Sequence, residues 1–355
     1  CNGGDPEDPD AALLTAPPAA GKTTLVSQVV VLALDSPLIP IVIKLQRLQQ
    51  VYEKHPDEFA SSWNWCEAHL RLTKKPLVHR FLRAAMMQRR ALLLLDGLDE
   101  GGKHREAIEE HILKVLAPQG HVLLVTSRPT GLNPDHYTGF CQLKLAPLSE
   151  AQQTDMLERR LGSASDAEQL LRFVKEKMPV DTETKQPITA NPLMLAMMAT
   201  IFELRRGVEM PSTLCEVYET ASDAMLSRGR GASKELRRLL EAVFFRAQDQ
   251  QQRVIKEADL RAAAHDVGSS EATWQGLKDR VLEDRMPLLS LLQATPLQMQ
   301  SSHLSFQEYF AARALCKEGT RLSGPPPWQW GVWWANARRL GREMGVAFGR
   351  GLLRA

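Results

Sequence analysis

Five short apolar runs, separated by stretches with a helical pattern, occupy the chain up to residue 146. The runs are Ala11–Thr15, Leu38–Leu45, Ala91–Asp96, His121–Ser127 and Phe140–Ala146. A continuous apolar run bounded by polar residues is typical of a strand buried on both faces, as in a parallel sheet. Helices are predicted from Gly21 to about Asp35 and between Gln46 and Arg90. Alternating strands and helices predict an α/β fold with a doubly wound parallel sheet.

After Pro147 the pattern becomes predominantly helical. Ser149 and Gln152 form a capping-box pair, which predicts the start of a helix. Asn191 and Pro192 suit the first turn of another helix, because proline is tolerated there. The further helices are predicted at Asp166–Met178, Thr189–Leu204, Thr213–Ser227, Ser233–Gln250 and Lys256–His265.

Two apolar segments near the end of this helical region predict a short hairpin, at Leu288–Leu292 and Leu297–Met299. Ser305 and Glu308 form a second capping-box pair, which predicts a helix that runs through Cys316. Helices followed by a hairpin and a further helix predict a small winged-helix-like module.

Composition and charge restrict the class of protein. Of the 355 residues 44% are apolar and 24% charged, as is ordinary for a soluble globular protein. A net charge of +2 gives no broad electrostatic field for nucleic acid or a membrane. The five cysteines include no C-x-x-C pair, so a reducing cytoplasm is expected. No apolar run reaches the roughly 18 residues of a membrane-spanning helix, so no membrane span is predicted.

A candidate phosphate-binding loop follows the first predicted strand. The segment Ala16–Thr24 reads APPAAGKTT and leads directly into the first predicted helix. A loop of this kind directs its backbone N–H groups and the helix N-terminus at one phosphate group. Lys22 would reach the β- and γ-phosphates, and the Thr23 hydroxyl would ligate Mg²⁺. The sequence therefore predicts a nucleoside triphosphate site at this position.

The loop departs from the pattern G-x-x-x-x-G-K-[ST], because Ala16 stands where the first glycine belongs. Alanine disfavours a positive φ, and Pro17 and Pro18 remove two backbone donors. The donors most needed for phosphate come from Ala19 through Thr23, and none of these is proline. A loop that no longer binds nucleotide therefore stays an alternative.

Acidic and basic residues follow two of the other predicted strands. Asp96, Asp99 and Glu100 come at the end of an apolar run, and Arg128 ends the next. In open α/β sheets ligands bind at the carboxyl ends of the strands. Asp96 is suited to hold Mg²⁺, whereas Asp99 and Glu100 could polarise an attacking water. Arg128 would contact a γ-phosphate or pair with Asp96 or Asp99.

Four segments together resemble the NACHT family of signal-transducing nucleotide-switch ATPases, the STAND-class group that includes the NOD-like receptors. They are GKTTL from Gly21, LLLLDGLDE from Leu92, LVTSRP from Leu124, and HLSFQEYFAA from His303. Asn191-Pro192-Leu193 is similar to the family's helical-domain proline motif. The resemblance covers about residues 11–318.

The resemblance implies a role for each matching residue. Arg128 would sense the γ-phosphate, Pro192 would pack on the base, and His303 would bind the β-phosphate of ADP. Without the family, His303 is a histidine before a helix, for which a structural role is favoured. The full set comprises cofactor-binding Ala19, Ala20, Gly21, Lys22, Thr23, Thr24, Pro192 and His303, metal-binding Thr23 and Asp96, and catalytic Asp99, Glu100 and Arg128.

The predicted domains follow from the pattern and the resemblance. A disordered leader spans residues 1–10, the P-loop nucleotide-binding domain 11–146, the helical domain 147–212 and the winged-helix-like domain 213–318. Residues 319–355 hold four of the seven tryptophans and form a tail or the start of a further module. The tryptophan density is typical of packing against a neighbouring element. Because the sequence begins at Cys1, further flanking modules that bind other proteins are expected.

The expected function is an ATP/ADP switch with Mg²⁺ that is closed with ADP, opens with ATP, hydrolyses slowly and self-associates. One alternative is a P-loop kinase or motor-type ATPase, although neither an acceptor site nor a lid is identified. Another is a non-hydrolysing scaffold with a degenerate loop. DNA binding through the winged-helix-like region is disfavoured by the near-balanced charge and the lack of a basic recognition helix.

Overall fold

The chain divides into two compact units in a computed structural model that describes residues 10–130, 132–178, 180, 187–204, 210–227 and 234–354. One unit comprises the chain up to Pro17 together with Gly21–Ala146, and the other comprises Pro18–Ala20 together with Pro147–Ala355. The predicted leader lies outside the described residues, except for Asp10.

The first unit is built on a parallel sheet of five strands, in the order β2-β3-β4-β1-β5. The strands are β1 Ala11–Thr15, β2 Ile39–Lys44, β3 Ala91–Asp96, β4 Val122–Ser127 and β5 Cys141–Lys144. The helices are α1 Lys22–Ala33, α2 Leu45–Lys54, α3 Pro56–Ala60, α4 Trp65–Thr73, α5 Pro76–Met87 and α6 Arg105–His111. The five apolar runs therefore form the five strands, as the sequence predicts.

Both faces of the sheet are buried along β3. Leu93 and Leu95 belong to the core that includes residues of α2, α4 and α6. Leu94 points to the opposite face, because successive side chains of a strand alternate, and α1 packs against β3. All three leucines have no exposed surface. This burial explains why β3 reads as an uninterrupted apolar run.

The strand order brings together three of the segments that the sequence analysis names for a nucleotide site. β4 lies between β1 and β3, with Thr15 in register with Ser127 and Leu95 in register with Val125. The residues that follow β1, β4 and β3 therefore lie side by side at the carboxyl edge of the sheet. Open α/β sheets bind their ligands at this edge.

The second unit contains ten α-helices and three strands among its described residues. The helices are α7 Glu150–Leu161, α8 Ala164–Lys177, α9 Pro192–Leu204, α10 Leu214–Ser227, α11 Lys234–Asp249, α12 Glu257–Asp266, α13 Glu271–Leu282, α14 Leu304–Leu315, α15 Ala335–Glu343 and α16 Val346–Arg354. The strands are β6 Val254–Lys256, β7 Leu289–Gln293 and β8 Gln298–Ser301, which pair antiparallel in the order β6-β8-β7.

The capping-box pair of Ser149 and Gln152 begins α7 as predicted, with both reciprocal hydrogen bonds present. Asn191 caps α9, because its Oδ1 accepts the backbone N–H of Leu193 at 3.0 Å. The second predicted capping box is wrong. α14 begins at Leu304, and Ser305 and Glu308 are buried inside the helix. Glu308 Oε2 instead accepts a hydrogen bond from the amide of Asn336 at 2.6 Å.

Elements α11 to β8 have the winged-helix order of helix, strand, two helices and hairpin. The hairpin matches the predicted one within two residues, but β6 and α13 are absent from the sequence prediction. The prediction of an α/β P-loop-type sheet followed by helical and winged-helix-like parts is therefore confirmed as a fold.

The tryptophan-rich tail packs within the second unit. The Trp330 and Trp334 rings stack with centroids 4.0 Å apart. Trp333 Nε1 donates to the backbone oxygen of Gln248 at 2.8 Å, and Gln248 Nε2 donates to that of Trp333 at 2.9 Å. Trp328, by contrast, is 81% exposed. Three of the four tail tryptophans thus have the packing role that their density indicates.

No helix in the described part of the chain is both long and apolar enough to cross a membrane.

Candidate functional site

The loop after β1 reaches α1 through two residues with positive φ. Gly21 is the N-cap of α1 and has a φ of 99°. A Cβ at this position would meet no atom within 4 Å, so the backbone conformation is what requires glycine. Ala19 has a φ of 58°, which is uncommon for alanine and costs roughly 1–2 kcal/mol.

Ala16 does not need the freedom of the glycine that it replaces. It is not among the described residues with positive φ, and its side chain is fully buried. Its N–H donates to the backbone oxygen of Ser127 at 3.1 Å, which extends the pairing of β1 with β4. The departure from the phosphate-loop pattern therefore leaves the base of the loop intact, and the strain lies at Ala19.

Lys22 is folded back over the loop. Its Nζ donates to the backbone oxygen of Ala16 at 3.0 Å and lies 3.5 Å from that of Pro17. Burial is the main cause that lowers the pKa of Lys22, and the nearby Arg128 guanidinium lowers it further. Asp99, followed by Glu100 and Asp96, raises that pKa. The ammonium is therefore within electrostatic reach of every charged residue predicted for the site.

Thr23 and Asp96 are joined directly. The Thr23 hydroxyl donates to Asp96 Oδ2 at 2.9 Å, so the first turn of α1 contacts the end of β3. Asp96 Oδ1 accepts the Thr126 hydroxyl at 2.8 Å, and Thr126 Oγ1 accepts the N–H of Gly97 at 2.9 Å. The carboxylate of Asp96 is buried and has both oxygens hydrogen-bonded. Its orientation is therefore fixed by two strands and one helix.

Asp99 and Arg128 form a second pair. Arg128 Nε lies 2.9 Å from Asp99 Oδ2, and the Arg128 N–H donates to Asp99 Oδ1 at 3.1 Å. Both side chains are nearly buried, with 11% and 6% exposure. The ion pair expected from the sequence is thus formed with Asp99.

Glu100 ends a short 3₁₀ turn, Leu98–Glu100, that follows Gly97. Gly97 has a φ of 82°, and a Cβ there would meet the Glu100 side chain at 3.4 Å. Glycine is required at this turn because it supplies the positive φ that L side chains rarely adopt. The turn brings Asp99 and Glu100 back beside the end of β3.

The residues present fit a magnesium–phosphate group better than a metal held by protein alone. Among the described residues, no three His, Cys, Asp or Glu side chains converge as a metal cage. Thr23 and Asp96 supply two hard oxygen atoms at one point. Mg²⁺ commonly uses one or two such protein ligands together with waters and phosphate oxygens. The first-turn N–H groups of α1, including that of Thr24, have no partner within the helix.

The loop residues Pro18, Ala19 and Ala20 belong to the second unit. In that unit the Asn191 amide donates to the backbone oxygen of Pro18 at 2.8 Å. Pro192 is the first residue of α9, directly after this contact.

His303 is the N-cap of α14 and makes no side-chain capping bond. Burial, with a smaller contribution from Arg253, lowers the pKa of His303. The imidazole is therefore favoured in its neutral form, in which one ring nitrogen accepts a hydrogen bond and the other donates. It belongs to the second unit, whereas Lys22 and Asp96 belong to the first.

Two residues of the named segments make hydrogen bonds that the sequence analysis did not predict. Thr126 orients Asp96, and Asn191 holds Pro18. Thr126 lies near the carboxyl end of β4, two residues before Arg128. This position is a sequence signal that could have identified Thr126 as a site residue. The contact of Asn191 with Pro18 joins residues 173 positions apart, and no local pattern predicts it.

Comparisons with known proteins give structures only. No protein family matches the sequence, and no curated protein matches it. A signal transduction ATPase with numerous domains from Pyrococcus horikoshii, which has a tetratricopeptide repeat sensor, is 10% identical with a TM-score of 0.44. The alignment covers 98% of this chain and 47% of that protein, so this chain spans about half of its length.

Two further structures align over most of their own length. Cdc6p from Pyrobaculum aerophilum is 13% identical, with 85% of this chain and 88% of that chain covered and a TM-score of 0.36. The ORC1 protein from Aeropyrum pernix, in complex with DNA, is 14% identical, with 85% and 86% covered and a TM-score of 0.34. All three TM-scores are below 0.5, so the fold is assigned from the sheet of this chain and not from these likenesses. The fold of this chain, with its 2-3-4-1-5 parallel sheet and loop–helix segment after β1, is that of a P-loop NTPase.

Proposed function

We propose that the chain is a nucleotide-dependent ATPase that acts as a signalling switch of the STAND class and NACHT type. The hydrogen bond of 2.9 Å between Thr23 and Asp96 is the observation that carries this proposal. It joins the second residue of the helix after the phosphate loop to the acid that ends β3. These two oxygen ligands are the ones that a Mg²⁺–nucleotide site uses in P-loop NTPases.

Binding of ATP or ADP would rest on the loop and on the start of α1. The N–H groups of Gly21 to Thr24 point along the helix axis toward a phosphate, where the helix dipole also favours negative charge. Lys22 would exchange the backbone oxygen of Ala16 for phosphate oxygens. Since the pKa of Lys22 is lowered in the protein alone and phosphate favours its charged form, affinity should fall as the pH rises through that pKa.

Hydrolysis would depend on the acidic turn after β3. The Asp99 carboxylate accepts hydrogen bonds from both the side chain and the backbone N–H of Arg128. Asp99 is therefore suited to orient the Arg128 guanidinium toward a γ-phosphate. Glu100 is suited to polarise the attacking water. Mg²⁺ held by Thr23 and Asp96 would neutralise charge that develops on the phosphate oxygens. In a switch, hydrolysis serves only to return the protein from the ATP state to the ADP state. We therefore propose that turnover is slow.

The two states of the switch need different contacts with ADP and ATP, because a ligand shifts an equilibrium only by its difference in affinity. In the proposed closed state His303 binds the β-phosphate of ADP, and Pro192 packs on the base. Exchange for ATP removes this restraint and permits self-association. Flanking modules would supply the protein partners.

The first test identifies the nucleotide that the protein carries. The chain is purified without added nucleotide and denatured, and the released material is analysed by chromatography. Stoichiometric ADP is expected. Calorimetry with ADP–Mg²⁺ on the emptied protein then compares Lys22→Ala with Lys114→Ala, an exposed lysine outside the sheet.

Lys22→Ala is expected to lower the affinity at least about 100-fold, since charge-assisted hydrogen bonds contribute about 1.5–3 kcal/mol each. Lys114→Ala should leave the affinity unchanged. Equal affinities in the two variants would exclude the proposed site.

A non-hydrolysing scaffold is the second candidate, and the strained φ of 58° at Ala19 favours it. It predicts an empty purified protein with no thermal stabilisation by ATP–Mg²⁺. A competent site should instead gain about 2.7 kcal/mol of stability at a ligand concentration of 100 times Kd.

DNA binding through the winged-helix part is disfavoured by the charge of its second helix. α13, the second helix of the pair in the winged-helix part, carries Glu271 and Asp279 against Lys278 and Arg280. The helix is therefore balanced in charge, whereas phosphate contacts require a basic surface.

A further inference from the structure

A cavity of about 690 Å³ lies within the second unit, between α11, the end of α12 and the segment that follows α14. Its lining is mainly charged and polar, and its apolar part, called the floor, consists of Ala242, Phe245, Val267 and Ala314. The volume is within the roughly 300–1,000 Å³ that is common for small-molecule sites. None of the lining residues belongs to the phosphate loop or to the acidic turn. The cavity is therefore a second candidate site.

The wall of the cavity is held in place by hydrogen bonds. Asp249 Oδ2 accepts the N–H of Ser323 at 2.9 Å, and Asp249 Oδ1 accepts that of Gly324 at 3.2 Å. The Thr320 hydroxyl donates to the backbone oxygen of Ala314 at 2.7 Å. A Cβ at Gly324 would lie only 3.2 Å from Asp249, so glycine permits this close approach. The segment after α14 is thus anchored at two points, and the cavity is preformed.

The acidic side chains that line the cavity all have partners. Asp249 is occupied by the wall, and the other three acids are paired with cations. The pairs are Glu241 with Lys317, Asp266 with Arg246, and Glu318 with Arg354. Three of the four lining carboxylates are therefore balanced by a cation, and Asp249 is held by neutral donors.

Two lining arginines lack a carboxylate partner among the described residues. Arg238 Nη2 donates only to the backbone oxygen of Val267, at 3.2 Å. Arg321 is exposed and makes no side-chain hydrogen bond or ion pair within the described chain. A guanidinium group binds carboxylate or phosphate oxygens through two parallel N–H donors. Among the described lining residues, two cations without a carboxylate partner thus stand against one carboxylate without a cation, Asp249, and this balance favours an anionic group.

We infer that this cavity binds a small amphipathic anion, whose planar apolar group packs on Phe245 and whose carboxylate, sulfonate or phosphate is held by Arg238 and Arg321. The apolar floor and the two arginines impose both requirements together. An ion without an apolar group leaves the floor exposed to water, and an uncharged ring leaves the arginines unpaired. Neither half of the ligand alone fills the site.

The test uses 1-anilinonaphthalene-8-sulfonate, which has an aromatic body and one sulfonate, in a fluorescence titration of the full chain. One saturable site is expected. Ala242→Trp fills the cavity floor and should weaken binding more than about tenfold, since an overpacked site excludes the ring. Arg321→Glu should weaken it about tenfold through loss of a charge-assisted contact.

The control is Arg342→Glu, an exposed arginine of α15 outside the cavity, which makes the same charge change. It should bind the dye as the unaltered chain does. Lys22→Ala should also bind the dye normally, so failure of the nucleotide site and failure of this cavity are distinguished. Circular dichroism checks that each variant folds, and Arg321→Glu decides the matter if Ala242→Trp does not fold.

Competition experiments define the anion. 1-Naphthoate and 1-naphthyl phosphate should both displace the dye, and their relative affinities distinguish a carboxylate from a phosphate. 1-Naphthol and inorganic phosphate should each bind at least about tenfold more weakly. The inference is overturned if Arg321→Glu binds the dye as the Arg342→Glu control does. It is also overturned if naphthol competes as well as the two anions.

Discussion

Asp99 in the first unit and Glu241 in the second are both buried carboxylates that contact arginine, but their surroundings differ. Among the described residues, Asp99 has one cationic partner at hydrogen-bond distance, Arg128 at 2.9 Å, and it lies in a turn beyond β3. Glu241 lies in the middle of α11 and is only 4% exposed. It contacts Arg313 Nε at 2.9 Å and Lys317, and Arg237 Nε lies 3.8 Å away.

The difference separates a group that holds helices together from one that is available for chemistry. Glu241 links α11 to α14 and to the segment after it, so its charge is committed to the packing of the second unit. Asp99 and Arg128 come from two neighbouring strand ends and lie beside Lys22. A ligand phosphate can compete for Arg128 there, because a guanidinium has five donors.

Removal of Glu241 should have the largest effect on stability. Glu241→Ala leaves Arg313 and Arg237 partly buried without this carboxylate, which should cost about 3 kcal/mol. Urea unfolding followed by tryptophan fluorescence measures the loss. Glu318→Ala, whose pair with Arg354 is exposed, should change stability by less than about 0.5 kcal/mol. Equal losses in both variants would contradict the structural role of Glu241.

Removal of the charge of Asp99 should instead affect hydrolysis. Asp99→Asn keeps the side-chain shape but no longer orients Arg128 as an ion pair. We expect kcat for ATP to fall about 100-fold, or about 2.7 kcal/mol in the barrier, with KM changed little. Asp135→Asn, in an exposed turn, is the matched control. If the Asp99→Asn variant loses stability but keeps its kcat, Asp99 has a structural role like that of Glu241, and its proposed role in hydrolysis is contradicted.

Acid should destabilise the first unit through buried neutral histidines. The N–H of Trp65 donates to His111 Nε2 at 3.0 Å, and burial lowers the pKa of His111 to about 4. The unfolded chain therefore binds a proton between pH 6.5 and 4 that the folded protein excludes. The free energy of unfolding should therefore decrease as the pH is lowered from 6.5 to 4. For this histidine the loss approaches about 1.4 kcal/mol per pH unit.

The comparison of His111→Gln with the unaltered chain isolates this contribution, because the amide oxygen of glutamine can accept the same N–H. Urea unfolding at pH 7 and pH 5 should show a smaller loss in the variant. His69 and His121, whose pKa values are also lowered to about 4 by burial, contribute equally to both proteins. The same pH dependence in both would contradict the neutral state assigned to His111.

The smallest effect is expected at Ala19. Ala19→Gly should relieve the strain at a φ of 58°, but the gain is largely offset by the greater backbone entropy of glycine. A net stabilisation of at most about 0.5 kcal/mol is expected in thermal unfolding. Ala20→Gly, at a position without positive φ, should be destabilising by about 0.5 kcal/mol. Stabilisation in both variants would show that φ at Ala19 is not the cause.

Much of the fold was predictable, because strands buried on both faces leave uninterrupted apolar runs. β3 begins and ends where the run Ala91–Asp96 does. β6 was missed since three residues are too few to show a period. α13 was missed because it follows two serines and contains Gly276, features that are typical of a turn. The capping box predicted at Ser305 was wrong because Ser305 and Glu308, although they match the capping-box pattern, lie inside α14.

The candidate site was predictable where one segment carries the chemistry. Lys22, Thr23 and Asp96 follow from two local motifs. The bond from Thr126 to Asp96 was not predictable, because it requires β4 to lie next to β3, and strand order is set by packing of the whole sheet. The choice of Asp99 over Asp96 as the partner of Arg128 depends on the 3₁₀ turn after Gly97 for the same reason.

The position of β4 between β1 and β3 has a consequence for how the protein opens. β2 and β5 are the edges of the sheet, whereas the strands that end at the candidate site are all interior. In hydrogen exchange, amides of edge strands are released by local fraying, whereas those of central strands commonly require opening of the whole unit. We therefore expect the slowest exchange in β1, β3 and β4. The strands that carry the candidate site then unfold only when the whole first unit unfolds. Adjustment to a ligand is therefore confined to the loops beyond the strand ends.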